Sequence, residues 1–253
     1  MKLISEIGLN HGGSEKTASK MLKAIVRSKS DGVTYQIKKK SWYTDLEKSF
    51  NDKNLIFLKR LREKDFIKHL LNSKKFNSLE LSDSFYVKMI KYAKKNKKKI
   101  GFAIGDQKKI KILSKAGADF FKILSEDFKN LKLIKAAINS RVKTVYISIG
   151  DNKLNDIKTL LKKISRKKIV LAHTRFNNTI TGNDLPLIKK FRSFTKLPIA
   201  FINHCSDKRI FKHLKKYKPR PVFIYVKESN YKMNPDDKHA INLNKINQIY
   251  NSI

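Results

Sequence analysis

Cysteine is almost absent. Cys205 is the single one in 253 residues, which excludes a disulfide framework and a cysteine zinc cluster. Cysteine usage of this kind suggests a reducing compartment, and a cytoplasmic location is expected. Residues 1–10 carry Glu6 and Asn10 and lack the basic start and long apolar run of a secretion signal. No window approaches about 18 uncharged apolar residues, so no transmembrane helix is expected. No Gly/Ser linker or low-complexity block divides the chain. Acidic residues are scarce too: 21 Asp and Glu stand against 58 Lys and Arg, a net charge of +37. Such an excess marks either a polyanion partner, nucleic acid or an anionic membrane, or a lysine-rich composition spread over solvated helix faces. Arginine interleaved with aromatics is sparse, whereas lysine recurs in nearly every helical pattern, as in Lys97-Lys98-Lys99 and Lys162-Lys163. The second reading is therefore favoured over nucleic acid, although small anionic substrates would still be attracted.

What the chain has is alternation. Short runs rich in Ile, Val, Phe and Tyr predict buried parallel strands over Leu3–Gly8, Gly32–Ile37, Lys99–Ile104, Asp119–Leu124, Lys143–Ile149, Lys168–His173, Leu197–Asn203 and Pro221–Lys227. Amphipathic patterns between them predict helices over Ser14–Ser28, Ser82–Lys95, Asp106–Ala116, Asn130–Ile138, Lys153–Ile164, Asp184–Phe194, Lys208–Tyr217 and Leu243–Tyr250. Eight strands alternating with eight helices in this length point to an α/β fold, a (β/α)8 TIM barrel as a single domain over 1–253. One gap is long. Residues 41–77, with Trp42, Tyr43 and a helical piece around 55–71, read as an insertion between the second and third strands and a candidate lid. A doubly wound open sheet is the runner-up and fits worse, because no early Gly-x-Gly-x-x-Gly turn is present.

In a barrel the chemistry lies just after each strand. The first strand runs into Asn10-His11-Gly12-Gly13-Ser14, a polar loop that gathers Glu6, Asn10 and His11 before a helix start. An ordinary βα loop capped by Ser14 explains that stretch equally well. Other strand ends supply Gln36 and Lys38, Asp106, Lys122 with Ser125, Glu126 and Asp127, Ser148, His173, Asn203 and His204, and Lys227. Cations, histidines and carboxylates together suit an anionic substrate, such as a phosphate, with acid–base or metal assistance. Lys122 sits between Phe121 and Ile123, where burial demands a partner. His11, His173 and His204 are the histidines expected after strands, and with Glu6 or Asp127 they could hold a divalent ion if the barrel gathers them. No His-Glu-x-x-His spacing is present, and a strand-end histidine is commonly a hydrogen-bonded structural residue.

These stretches, in this order, resemble the sialic acid synthase family, the N-acetylneuraminate, legionaminate and pseudaminate synthases. Glu6-Ile7-Gly8-Leu9-Asn10-His11-Gly12-Gly13 is similar to its Glu-(Ile/Ala)-Gly-x-Asn-His-x-Gly signature. Phe121-Lys122-Ile123-Leu124-Ser125-Glu126-Asp127, followed by Asn130, resembles its Lys-Ile-x-Ser-x-(Asp/Glu) segment. Asp31–Gln36, Ser148-Ile149-Gly150, Asn203-His204 and Asn234-Pro235-Asp236 match further segments. The resemblance implies a barrel that condenses phosphoenolpyruvate with an N-acetylated amino sugar to a nonulosonic acid in surface-carbohydrate biosynthesis. It implies a divalent metal, manganese or magnesium, that polarises the sugar aldehyde. Carried over, Lys122, Ser125 and Ser148 would hold phosphoenolpyruvate. Glu6 and Asp127 would act at the reacting centre, Asp236 would contact sugar, and His204 would be a metal ligand. Asn10, His11 and Gln36 fall on substrate-site segments.

The departures are specific. Thr34 stands where the family has a phosphoenolpyruvate-binding lysine, and Lys38, on the same strand parity, is a candidate replacement. Tyr225-Val226-Lys227 stands where the family has Glu-x-His, so Lys227 takes the place of the second metal histidine, either as a substitute cation or as the mark of a lost metal site. The family's C-terminal antifreeze-like domain, which completes the sugar site across a dimer, is not expected after residue 253. The resemblance leaves room for a homodimer, and for a non-catalytic barrel that binds an anionic metabolite or a partner enzyme.

Overall fold

Strands form where the β-branched and aromatic runs lie, and each of the eight that make the ring is paired on both sides. In the computed structural model the described residues are 1–38, 79–177, 179–228, 236 and 239–253. The expected insertion at 41–77 lies outside them. In chain order the elements are β1 (Leu3–Gly8), α1 (Glu15–Arg27), β2 (Gly32–Ile37), α2 (Asp83–Lys95), β3 (Lys99–Ile104), α3 (Gln107–Ala116), β4 (Phe120–Ile123) and α4 (Leu131–Asn139). They continue with β5 (Thr144–Ser148), α5 (Leu154–Lys162), β6 (Ile169–Thr174), α6 (Leu187–Thr195), β7 (Ile199–Asn203), α7 (Ile210–Leu214), β8 (Val222–Lys227), a two-residue β9 (Ile241–Asn242) and α8 (Ile246–Ser252).

β1 to β8 pair in sequence order, all parallel, and β1 also pairs with β8 through Leu3↔Val222 and Glu6↔Tyr225. That closing pair makes the sheet a (β/α)8 barrel and overturns the open doubly wound alternative. β9 adds to β8 outside the ring, with Val226 opposite Ile241.

Strand parity sorts the side chains into two cores. Ile4, Phe120, Tyr146, Ala172, Ala200, Ile202, Phe223 and Tyr225 fill the barrel interior. Phe120, Tyr146 and Phe223 meet edge to face at centroid distances of 5.1–6.1 Å and plug its lower part. The opposite parity packs outward on the helices. On α1, Ala18, Met21, Leu22 and Ile25 form the buried stripe that the i, i+3, i+4, i+7 spacing requires. Ser14 caps its helix start as expected, and Ser82, Asp106 and Asn130 likewise each accept a backbone N–H of the first turn; Asp106, a strand-end candidate, serves here as a cap. α7 is much shorter than the Lys208–Tyr217 pattern suggests, and Lys143 and Lys168 lie outside the strands they were expected to open.

Candidate active site

With the lumen plugged below by aromatics, polar inward-facing residues collect at its C-terminal mouth. Glu6 on β1 and Lys122 on β4 are both fully buried, and the Lys122 ammonium donates to Glu6 Oε2. The ammonium also lies 5.4 and 5.5 Å from the ring centres of Phe223 and Tyr225. Burial raises the Glu6 pKa; Lys122 pulls against it, and Asp236 adds to the rise. An ion pair taken this far from water stabilises the fold little by itself, but removing one partner strands the other charge.

Around the pair stand groups able to meet an anion. Ser148 at the end of β5 and Thr174 at the end of β6 are buried, with hydroxyls that have no hydrogen-bond partner among the described residues. Ser125 follows β4 and packs on Gly150 so closely that a Cβ there would lie 2.8 Å from its own; Gly150 also has φ +56°, so glycine is needed twice over. Asp127 is held by Asn130, whose Nδ2 donates to Asp127 Oδ1 at 3.2 Å. Lys38, just past β2, is 3% exposed and forms an ion pair with Glu126. Burial pushes its pKa down to about 7, against the pull of Asp127, Asp236 and Glu6 and with the help of Lys122. Gln36, half-buried on β2, and Lys227, half-buried at the end of β8, share the inward parity.

A second cluster forms on the β7–β8 side of the mouth. His204 is buried against Phe176, His239 and Tyr225, at ring distances of 4.4, 4.6 and 5.1 Å. His239 Nε2 lies 3.4 Å from Asp236 Oδ1 without a hydrogen bond. Burial, with His239 and Lys122 nearby, holds the His204 pKa well below its ordinary value, so the ring is neutral. Its Nδ1 has no hydrogen-bond partner among the described residues. A neutral imidazole suits a metal, but among the described residues no three His, Cys, Asp or Glu side chains converge to hold one. The described donors fall short of a ligand set.

Not every expected site residue faces the lumen. His173 lies within β6 on the outward parity, packs against Phe191 and Phe201, and its Nε2 pairs with the Asn183 carbonyl at 2.8 Å. The three strand-end histidines are therefore not gathered: the alternation of β6 turns His173 to the helix layer. His11 accepts from Gly13 N at 3.0 Å through Nδ1 and lies near Tyr35, while Asn10 Nδ2 donates to the Val226 carbonyl at 2.8 Å. These two hold the loop after β1 in shape and tie it to β8; Gly12 and Gly13, at φ +58° and +80°, supply its turn. Asn10 Oδ1 and His11 Nε2 have no hydrogen-bond partner among the described residues. His239 and Tyr225 were not singled out from sequence. Tyr225 could have been, since it shares parity with Phe223 and Lys227; His239 needed the fold of the segment after β8. A cavity of about 470 Å³, lined by Asp151, Lys153, Arg175 and Lys190, opens elsewhere and excludes Glu6 and Lys122. The convergence of buried polar groups, not that opening, defines the candidate site.

A parallel barrel gathers its strand-end groups at the C-terminal mouth, and here they are a buried Lys–Glu pair and buried hydroxyls. The NeuB family model matches residues 21–250, and the chain belongs to that family. It is 25% identical over 215 residues to the N,N'-diacetyllegionaminic acid synthase of Campylobacter jejuni, covering 80% of this chain and 60% of that protein. An uncharacterized protein of Methanocaldococcus jannaschii is also 25% identical, over 80% of this chain and 55% of its own length. The chain thus spans less than two thirds of either relative. Among solved structures, an N-acetylneuraminic acid synthetase from Leptospira borgpetersenii superposes with a TM-score of 0.79 at 20% identity, covering 99% of this chain and 81% of that one. A spore coat polysaccharide biosynthesis protein from Bacillus subtilis gives 0.76 at 15% identity, with 99% and 66% covered. At these identities the structures speak for the fold.

Proposed function

We propose that this chain is a phosphoenolpyruvate-dependent condensing enzyme, a divergent nonulosonic acid synthase that acts on an N-acetylated amino sugar in surface-carbohydrate biosynthesis. The observation that carries the reading is Lys122, fully buried at the mouth, held by Glu6 and followed directly by the Ser125–Asp127 turn. An ammonium has three donors and Glu6 takes one, so Lys122 is positioned without being used up. Lys122, Ser125 and Ser148 then hold the carboxylate and phosphate. C3 of the enol bonds to the sugar aldehyde carbon, whose oxygen gains a proton. Water adds at C2 and gives up one proton; its second proton passes to the departing phosphate as C2=O forms and the bond from C2 to the phosphate oxygen breaks. Glu6 and Asp127 hold the water and sugar hydroxyls around that centre, and Asp236 contacts the sugar from the β8 side.

The legionaminic acid synthase relationship supports the substrate class, and Thr34 and Lys227 favour a second reading: a barrel that binds the anion without turning it over. Thermal melts with phosphoenolpyruvate, with and without manganese, come first, followed by phosphate release with a panel of N-acetylated amino sugars. The proposal expects a rise in Tm with phosphoenolpyruvate that Lys122→Met abolishes, and phosphate release with one of the sugars. A rise without release under any condition would favour the second reading. No rise at all would remove phosphoenolpyruvate from the argument.

A further inference from the structure

Lys38, the candidate replacement for the cation missing at Thr34, forms an ion pair at the mouth with Glu126, to which no role has been assigned. The pair is asymmetric. The Lys38 side chain is 2% exposed, whereas that of Glu126 is 26% exposed. Glu126 can return to water, while Lys38 is enclosed between the ends of β2 and β3. A methyl group at Gly105, just past β3, would lie 3.7 Å from both Lys38 Cδ and Asp127 Oδ2, so the lysine stem and the Asp127 carboxylate flank the same glycine. Glu126 belongs to the short turn that also presents Ser125 and Asp127, four residues beyond Lys122. Lys38 is also close enough to Lys122 for the two ammonium charges to oppose each other. Two buried cations that repel, one held by buried Glu6 and one by a carboxylate from the rim, make a site suited to an anion with two charged ends.

We propose that Lys38 is the second cation of the anion site and that Glu126 is its internal counter-ion, which gives way when a phosphate or carboxylate of the ligand arrives. This deepens the phosphoenolpyruvate reading and rests on it. The difference in burial decides which partner moves: the cost of separating the pair is least for the group that water can reach. Lys38 then does for the ligand what Thr34, uncharged at the same inward parity of β2, cannot. Because Glu126 competes with the ligand for one ammonium, removing its charge strengthens binding, a direction opposite to that expected for an ordinary site residue.

Calorimetric titration with phosphoenolpyruvate on the wild type, Glu126→Gln, Lys38→Met and Lys122→Met tests this. Glu126→Gln should bind about fivefold more tightly, the equilibrium equivalent of one partly exposed ion pair. Lys38→Met should bind about tenfold more weakly or worse, as loss of a charge-assisted hydrogen bond predicts. The tightening carries the test alone if Lys38→Met proves unfolded, since Glu126 is at the rim and its amide keeps the shape. Unchanged or weaker binding by Glu126→Gln overturns the inference. So does wild-type affinity in Lys38→Met when Lys122→Met has lost it, and in that case the phosphoenolpyruvate reading stands. No binding by the wild type would overturn both.

Discussion

Two buried histidines place a pH limit on the fold. His11 and His173 are almost wholly enclosed, and burial lowers the pKa of each from 6.5 to about 4. His173 feels Arg175 as a further repulsion, partly offset by the Asn183 carbonyl and Asp184. The folded state therefore holds both rings neutral at a pH where the unfolded chain would protonate them. Stability is at its full value above about pH 6.5 and falls with pH down to about 4, by about 1.4 kcal/mol per pH unit for each group that is charged only when unfolded. Urea unfolding at a series of pH values should show this slope. His173→Gln keeps a donor toward the Asn183 carbonyl and removes one titrating ring, so its slope should be shallower by one proton. An identical slope in the variant would mean that His173 already takes up its proton in the folded state.

At the level of elements, charged side chains at the strand starts work as braces. Asp31, before β2, accepts from Leu3 N at 2.8 Å, and its own N–H donates to the Leu3 carbonyl. Asp119, before β4, repeats the device on Ile100 of β3. Lys98, before β3, donates to the carbonyls of Ser28 and Ser30, and Lys168, before β6, to those of Ile138 and Ser140. Each lysine satisfies carbonyls left over where a helix ends. Lys98→Met should cost about 1–3 kcal/mol in denaturant unfolding, because it leaves two carbonyls without their donor. Lys91→Met, on an exposed turn of α2, should stay within about 0.5 kcal/mol. Equal effects would refute the brace. The strands were legible because their apolar runs are short, β-branched and bounded by polar turns, and the helix starts because Ser14, Ser82 and Asp106 precede regular stripes. Facing was harder to read. His173 looks like a strand-end residue until the extra residue of β6, Thr174, fixes its parity, and the mouth cluster of His204 with His239 joins side chains 35 positions apart that no local pattern links.

At the scale of the whole molecule, several of the acidic residues among those described are committed to structure, which sharpens the meaning of +37. Asp31 and Asp119 brace strands, Asp106 caps α3, Glu15 accepts from Ser82, and Glu6 and Glu126 hold the buried lysines. The lysines instead lie exposed on successive outer helices, among them Lys91, Lys108, Lys132, Lys158, Lys189 and Lys212 on α2 to α7. No helix of the described residues is long and apolar enough to cross a membrane. Charge distributed around the ring repels itself over distances that salt screens, and compaction brings the charges closer than they are in the unfolded chain. Raising sodium chloride from about 0.02 M to about 0.3 M shortens the screening length from roughly 20 Å to below 10 Å, so Tm should rise across that range. Chloride is the appropriate anion, because sulfate or phosphate would also enter the Lys38–Lys122 site. The rise should persist in Lys122→Met, where that site is disabled, if it comes from the outer ring. A Tm that is flat in chloride would mean that the surface lysines are spaced too widely to act on one another. A rise lost in Lys122→Met would trace the effect to anion binding at the mouth. The nucleic-acid alternative makes a separate demand: a duplex should bind without regard to sequence, with affinity falling steeply over the same salt range. Lysines spread over successive helices of the described residues, unlike a single basic face, offer a duplex only a few contacts at a time. Weak binding, lost well below about 0.15 M salt, is therefore the expected outcome, and tight binding at that salt would show that the charge has a partner of its own.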